Sequence, residues 1–257
     1  MEFHGEENID KLVRKAFFPL INYKGVFIEV GAADPSFLSN SKHFRDSGWD
    51  IISIEPNPYF AKRHREAGNN ILEYACGEKD EDNILFEIAK PKVNGSLGAI
   101  TFESFSAIKI KEKYKKNDPS LYENMDVEQI NVKMRRLDTL LLENKITNID
   151  ILSVDVEGWE LEVLSGLNFN TNAPKLLIVE NWLKEDYYIT AICRYGYDFV
   201  CRIYPNDVFV KNGSFSQNNI IKAKILAGLF RTIQISKHFS SKLLFRVVQM
   251  VKSVLPK

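Results

Sequence analysis

The chain has 257 residues, 45% hydrophobic and 26% charged, with 34 Lys and Arg balanced by 34 Asp and Glu. That length fills one α/β domain plus an appendage and falls short of two full domains, and the balanced charge names no partner, nucleic acid included. The balance hides an asymmetry: from Ile221 onward the sequence holds Lys222, Lys224, Arg231, Lys237, Lys242, Arg246, Lys252 and Lys257 and no Asp or Glu. The cysteines, Cys76, Cys193 and Cys201, form no CxxC pair, which argues against a zinc site or a disulfide framework and for a reducing compartment. MEFHGEENIDKLV lacks the basic start and apolar run of a signal peptide. No uninterrupted apolar run reaches the ~18 residues of a membrane span, so the expected compartment is the cytoplasm.

In chain order, short apolar runs alternate with helix-like segments, the pattern of a parallel sheet covered on both faces. Lys24–Val30 reads as a buried first strand. Ser39–Gly48 reads as a helix stopped by glycine, Asp50–Glu55 as a second strand, Pro58–Gly68 as a helix with proline in its first turn, and Asn70–Ala75 as a third strand. Residues 83–137 break the rhythm with ILFEIA, a Gly/Ser-rich loop (NGSLGAITFES), a lysine-rich patch (KIKEKYKK) and an alternating segment (EQINVKMRRL); a substrate-covering insertion is expected there. Regular alternation then resumes with a helix at Leu137–Glu143, a strand at Ile149–Val154, a helix at Trp159–Leu164, a strand at Lys175–Glu180 and a helix at Asp186–Tyr195. Tyr197–Tyr204 and Asp207–Lys211 leave no room between them for a helix and read as an antiparallel hairpin. An α/β doubly wound sheet ending in an antiparallel hairpin is the methyltransferase-type, Rossmann-like variant rather than the common dinucleotide-binding one. The expected division is residues 1–212 for this domain and 213–257 for a basic amphipathic helical tail.

In open α/β sheets ligands bind beyond the carboxyl ends of the strands, and acids gather there. Glu29-Val30-Gly31-Ala32-Ala33-Asp34 ends the first strand with a small-residue turn. It lacks the GxGxxG pattern that seats a pyrophosphate. An acidic turn poor in glycine suits a cationic amine without phosphate, although a plain strand–helix connection would also explain it. Glu55-Pro56-Asn57-Pro58 closes the second strand, where an acid can accept ribose hydroxyls; Asn57 and Pro58 can equally start the next helix. Ala75-Cys76-Gly77 leaves room for an adenine edge or makes a simple turn. Asp155 and Glu157 follow the fourth strand, and two nearby acids can act as a base, orient a hydroxyl or hold a divalent cation; N-capping of the next helix is the plainer explanation. Glu180-Asn181 ends the fifth strand, so that Asp155, Glu180 and Asn181 could form an oxygen-rich magnesium or manganese site. Histidines 4, 43, 64 and 238 show no ligand spacing and read as surface or packing residues.

Taken together, VFIEVGAADPSFLSN (26–40), GWDIISIEPN (48–57), RLDTL (136–140) and IDILSVDVEGWELEVL (149–164) resemble the FkbM family of methyltransferases. The resemblance covers roughly residues 5–210, and Phe3-His4-Gly5-Glu6-Glu7 is similar to a degenerate form of the family's opening segment. Ala33 departs from the asparagine more usual there. The resemblance implies O-methyl transfer from S-adenosylmethionine, often onto a sugar hydroxyl or a related natural-product hydroxyl. Glu29 is then expected at the cofactor's amino group, with Gly31, Ala32 and Asp34 in the turn that forms its floor. Glu55 is expected at the ribose and Asn57 and Cys76 near the adenine, while Asp155 and Glu157 face the acceptor with Glu180 in support. The rivals are a metal-dependent glycosyltransferase using Asp155 and Glu157, and a non-catalytic binding module on the same fold.

In the tail, Ile221, Ile225, Leu229 and Ile233, then Leu244, Val247, Val248, Val251 and Leu255, recur at three- to four-residue spacing, as in amphipathic helices. Two outcomes are open: peripheral contact with an anionic membrane, or packing on the domain or on a second subunit as a homodimer.

Overall fold

A computed structural model of the protein describes residues 2–91, 102–105 and 125–232. A short 3₁₀ turn at Glu6–Asn8 leads into helix α1 (Ile9–Ala16). Ile9, Leu12, Val13 and Ala16 repeat at i, i+3, i+4 and i+7, one helical face, and all four are fully buried. The sequence expectations held no element before Lys24, so α1 is an addition.

The strands and helices that follow are β1 (Val26–Val30), α2 (Lys42–Asp46), β2 (Asp50–Ile54), α3 (Pro58–Glu66) and β3 (Ile71–Leu72). After an intervening segment come α4 (Leu137–Glu143), β8 (Ile151–Val154), α5 (Glu160–Ser165), β9 (Leu176–Glu180), α6 (Asp186–Cys193), β10 (Tyr197–Ile203) and β11 (Asn206–Lys211). The main sheet has seven strands in the order β10-β11-β9-β8-β1-β2-β3. β1 runs parallel to β2 and β8, β8 to β9, and β2 to β3. β11 lies between β9 and β10 and is antiparallel to both, which makes the expected terminal hairpin. Successive side chains of a strand point to opposite faces, and the core divides accordingly. Phe27, Ile151, Leu176 and Ile178 pack with α1, Phe44 and Trp49 on one face; Ile28, Leu152, Leu177 and Val179 pack with Leu140, Val163 and Tyr188 on the other.

The expected third strand is divided in two. Ile71–Leu72 stays on the main sheet, while β4 (Ala75–Cys76) joins a second sheet with β5 (Glu81–Pro91), β6 (Phe102–Phe105) and β7 (Met125–Arg135), in the order β4-β7-β5-β6. β5 and β7 form the long antiparallel pair, and β4 runs parallel to β7. Among the described residues the expected insertion is therefore largely a sheet of its own. Its core of Ala75, Phe86, Ile88, Val132 and Met134 is joined to the domain by Trp159, which packs against both. The lysine-rich patch at 109–116 and most of the Gly/Ser-rich loop at 94–104 lie outside the described residues.

Residues 217–232 form a helix, α7. It belongs to the core that contains α1: Ala223 and Ala227 are buried there, and Ile220, Leu226 and Phe230 pack against it. Asn219 Nδ2 donates to the Ala16 carbonyl at the end of α1, 2.7 Å away, and Phe215 meets Phe17 and Phe18 edge-on. Residues 217–232 thus share the domain's core, beyond the division expected at 212/213. The face that packs is not the stripe read from the sequence. Ile221, Ile225 and Leu229 point outward, 53%, 59% and 54% exposed; Ile233 and the 244–255 stripe lie outside the described residues. Among the described residues no helix is long and apolar enough to cross a membrane.

Candidate active site

The turn after β1 is built by closing its own hydrogen bonds. Gly31 N–H and Ala32 N–H donate to the Ile54 carbonyl at 3.0 and 3.2 Å, and Ala33 N–H donates to Glu55 Oε2 at 3.0 Å. Glu55 Oε1 accepts Asn57 N–H at 2.8 Å. Ala33 sits at φ 34, a left-handed conformation uncommon for a residue with a side chain. His64, fully buried on α3, holds the other side of the turn. Its Nε2 lies 3.4 Å from the Ala32 carbonyl and 3.1 Å from that of Ala33, and Asn69 Nδ2 lies 3.3 Å from Nδ1. Carbonyls on one ring nitrogen and an amide donor on the other select the neutral tautomer with the proton on Nε2. Burial lowers the pKa of His64 and so favours the same neutral ring.

Gly31 has φ 78 and lies directly on the neck of β8: a Cβ there would meet the Asp155 carbonyl oxygen at 1.7 Å. Only glycine fits, and the turn is thereby pressed against the second group of acids. Asp155 N–H also donates to the Val30 carbonyl at 3.0 Å.

Asp155, Glu157 and Glu180 each offer a carboxylate oxygen within 4.8 Å of the others. Burial, then the nearby Glu6, pushes the Asp155 carboxyl up to about 7. Glu180 is raised well above the ordinary range, by burial first and then by the charge of Asp155. Like charges this close cannot both ionise cheaply; the hydrogen bond between the two favours ionised Asp155 and opposes ionisation of Glu180, so Glu180 keeps the proton and donates it to Asp155. Glu157 sits at φ 57, followed by Gly158 at φ 99. This strained loop is held by Glu160, whose Oε1 accepts Gly158 N–H at 2.8 Å and Val156 N–H at 3.2 Å. Its Oε2 accepts the Tyr188 hydroxyl at 2.7 Å. Burial drives Glu160 itself to about 7. Glu6, also raised to about 7 by burial, receives Asn206 Nδ2 at 3.5 Å, and Asn206 is paired in register with Glu180.

The residues expected from the sequence divide into four groups. Gly31, Ala32 and Glu55 form the turn, and Asp155, Glu157 and Glu180 come together beside it. Glu29, Asp34, Asn57 and Asn181 are engaged by their own surroundings. The buried Glu29 carboxylate accepts Ser41 N–H at 3.1 Å and Ser41 Oγ at 2.5 Å, with Ser39 Oγ at 3.4 Å, so it fastens residues 39–41 to β1. Asp34 accepts Ser36 and Phe37 N–H and pairs with Arg63. Asn57 caps α3 by accepting Tyr59 N–H at 2.9 Å. Asn181 Oδ1 accepts Glu185 N–H, and its Nδ2 donates to the Glu185 carbonyl and to Asp207; Glu157 takes its place among the carboxylates that converge. Cys76 stands apart, buried on β4 of the second sheet, where burial pushes its thiol up. His64, Glu160 and Glu6 were not expected. Only His64 had a signal: it lies four residues after Phe60 on the buried face of α3.

A mostly parallel sheet whose last strand is inserted antiparallel, with its acids along the carboxyl edge, defines a methyltransferase-type Rossmann-like enzyme fold. The family model of the methyltransferase FkbM domain matches residues 29–199, and the chain belongs to that family. The match begins inside β1, so Glu6 and α1 lie outside it. A comparison with curated proteins gave no match.

Proposed function

We propose that the protein transfers a methyl group from S-adenosylmethionine to a hydroxyl of a sugar, glycan or related natural product. The observation that carries this reading is the abutment of Gly31 on Asp155, which sets a small-residue turn and a proton-accepting acid side by side on one sheet edge. The donor chemistry of the turn supports it. The N–H groups of residues 31–33 are spent on Ile54 and Glu55, leaving no backbone cradle for a pyrophosphate; a nucleotide-sugar transferase is therefore the weaker reading. S-adenosylmethionine, when bound, supplies an electrophilic methyl group on a sulfonium.

The chain's own part is to seat, align and remove a proton. Glu55, buried at the end of β2 where it accepts the N–H groups of Ala33 and Asn57, is the acid that meets the ribose hydroxyls. Glu29 acts by fixing the 39–41 loop. Ionised Asp155 takes the acceptor's proton, and the proton held by Glu180 keeps the pair singly charged.

One observation favours a second version of the same reading. Asp155, Glu157 and Glu180 are an all-oxygen set that fits a hard divalent cation such as Mg²⁺ or Mn²⁺, which would polarise and orient the acceptor oxygen. Glu180→Gln separates the versions. Glutamine keeps a neutral donor to Asp155, so turnover under the proton reading stays within a few-fold. Under the cation reading it loses a ligand charge, and activity demands more added metal. Calorimetry with S-adenosylmethionine and with a uridine diphosphate sugar, followed by mass spectrometry of a glycan acceptor for methyl gain, tests the reaction itself. Binding of the nucleotide sugar alone would overturn it, and cofactor binding without turnover on any acceptor would leave a binding module.

A further inference from the structure

α7 presents two opposite faces. At about 100° per residue, Ala223 and Ala227 point into the domain core, with Phe230 and Leu226 beside them. Ile221, Ile225 and Leu229 fall within roughly 80° of one another on the far side, each more than half exposed. Lys222 lies on one shoulder of this outward stripe, and Lys224 and Arg231 lie on the other, all exposed. Among the described residues nothing covers these three large aliphatic side chains, while the opposite face of the same helix is already anchored.

We propose that this outer face of α7 rests on an anionic lipid surface. Such a surface meets both features at once: aliphatic side chains enter the boundary between headgroups and acyl chains, while lysine and arginine on the shoulders reach back to the phosphates. Residues 233–257 continue the charge with Lys237, Lys242, Arg246, Lys252 and Lys257 and no acid. A second copy of the chain is a poorer occupant. A two-fold contact through this face would set Lys222, Lys224 and Arg231 against their own counterparts, with no acid between 221 and 257 to offset them. A nucleic acid would answer the charge and leave the aliphatic stripe in water. The proposal is independent of the reaction assigned above.

The test is flotation of the full chain with phosphatidylcholine vesicles, with and without phosphatidylglycerol, at low and high salt. The intact protein floats with the anionic vesicles, stays below with the neutral ones, and is released by salt. Ile225→Glu lowers the bound fraction at least about tenfold with an unchanged melting temperature; Leu229→Asn replaces it if that variant melts early. Failure of the intact protein to float with anionic vesicles at low salt overturns the proposal, as does flotation of both variants at the level of the intact protein. A dimer that Ile225→Glu converts to a monomer also overturns it, in favour of a second copy. Tight binding of duplex DNA by a protein that ignores vesicles overturns it in favour of nucleic acid.

Discussion

At the β1–β2 end of the sheet's carboxyl edge, acids are met by donors; at the β8–β9 end, acids are met by acids. Glu29 accepts two serines and Glu55 accepts two backbone N–H groups. Asp155, Glu157 and Glu180 converge within 4.8 Å instead, and Asp155 is raised to about 7 as a result of burial and its acidic neighbours. The same residue type does two jobs on one edge. Where donors surround it, a carboxylate is a fixed strut that shapes a turn. Where carboxyls crowd together they hold a proton that can move near neutral pH.

The contrast can be broken experimentally, beginning with the largest effect. Asp155→Asn should lower kcat about 10²–10⁴-fold, the usual worth of a general base, while the calorimetric Kd for S-adenosylmethionine changes far less; equal losses in both would place Asp155 with the struts. Glu55→Ala should do the reverse, weakening cofactor affinity by ~10–150-fold, as expected for loss of charge-assisted hydrogen bonds. Unchanged affinity in a folded variant would remove Glu55 from the cofactor site. With the intact protein, kcat should fall about tenfold per pH unit below about 7, as Asp155 takes up its proton, and a flat profile down to pH 5 would deny it the base role.

The smallest effect is on stability. The raised pKa of Asp155 means that the native state binds more protons than the unfolded chain between the ordinary carboxylate range and about 7. Its contribution to stability therefore declines as pH rises through that window. Asp155→Asn should raise Tm by about 2–4 °C at pH 8, with little gain at pH 4. A scanning calorimetry trace with equal shifts at both pH values would mean that the acid is not crowded.

The strands were legible because the central ones are buried on both faces, so Val26–Val30, Ile151–Val154 and Leu176–Glu180 appear as mostly apolar runs, interrupted only by Glu29 and Ser153 and closed by Glu180. The acids at their ends were legible for the same reason, as abrupt charges closing apolar runs. The regular spacing of Ile9, Leu12, Val13 and Ala16 also marks α1 and was open to reading. Other features depend on partners distant in the chain. Glu160 reads as a first-turn helix acid, and nothing local says that it holds two N–H groups and Tyr188. Glu6 reaches the site through Asn206, some 200 residues away. In α7 the stripe legible in the sequence is the exposed face, and the face that packs on the domain was not read. Large aliphatic residues dominate a periodicity count, yet close packing on α1 selects the small Ala223 and Ala227. The split of residues 70–76 between two sheets leaves no trace in composition at all.

The contact between Gly31 and the Asp155 carbonyl sets a limit on redesign. No side chain separates the turn from the acid pair, so an adjustment to one cannot be absorbed before it reaches the other. If the turn seats the donor and Asp155 is the base, as proposed, mutating residues 155–158 toward a new acceptor would drag the donor seat along, and a bulkier cofactor analogue at the turn would displace the base. A directed-evolution library has more freedom on the second sheet, where Leu85 is exposed and the strands form a separate core. Changes there leave the contact between the turn and Asp155 undisturbed.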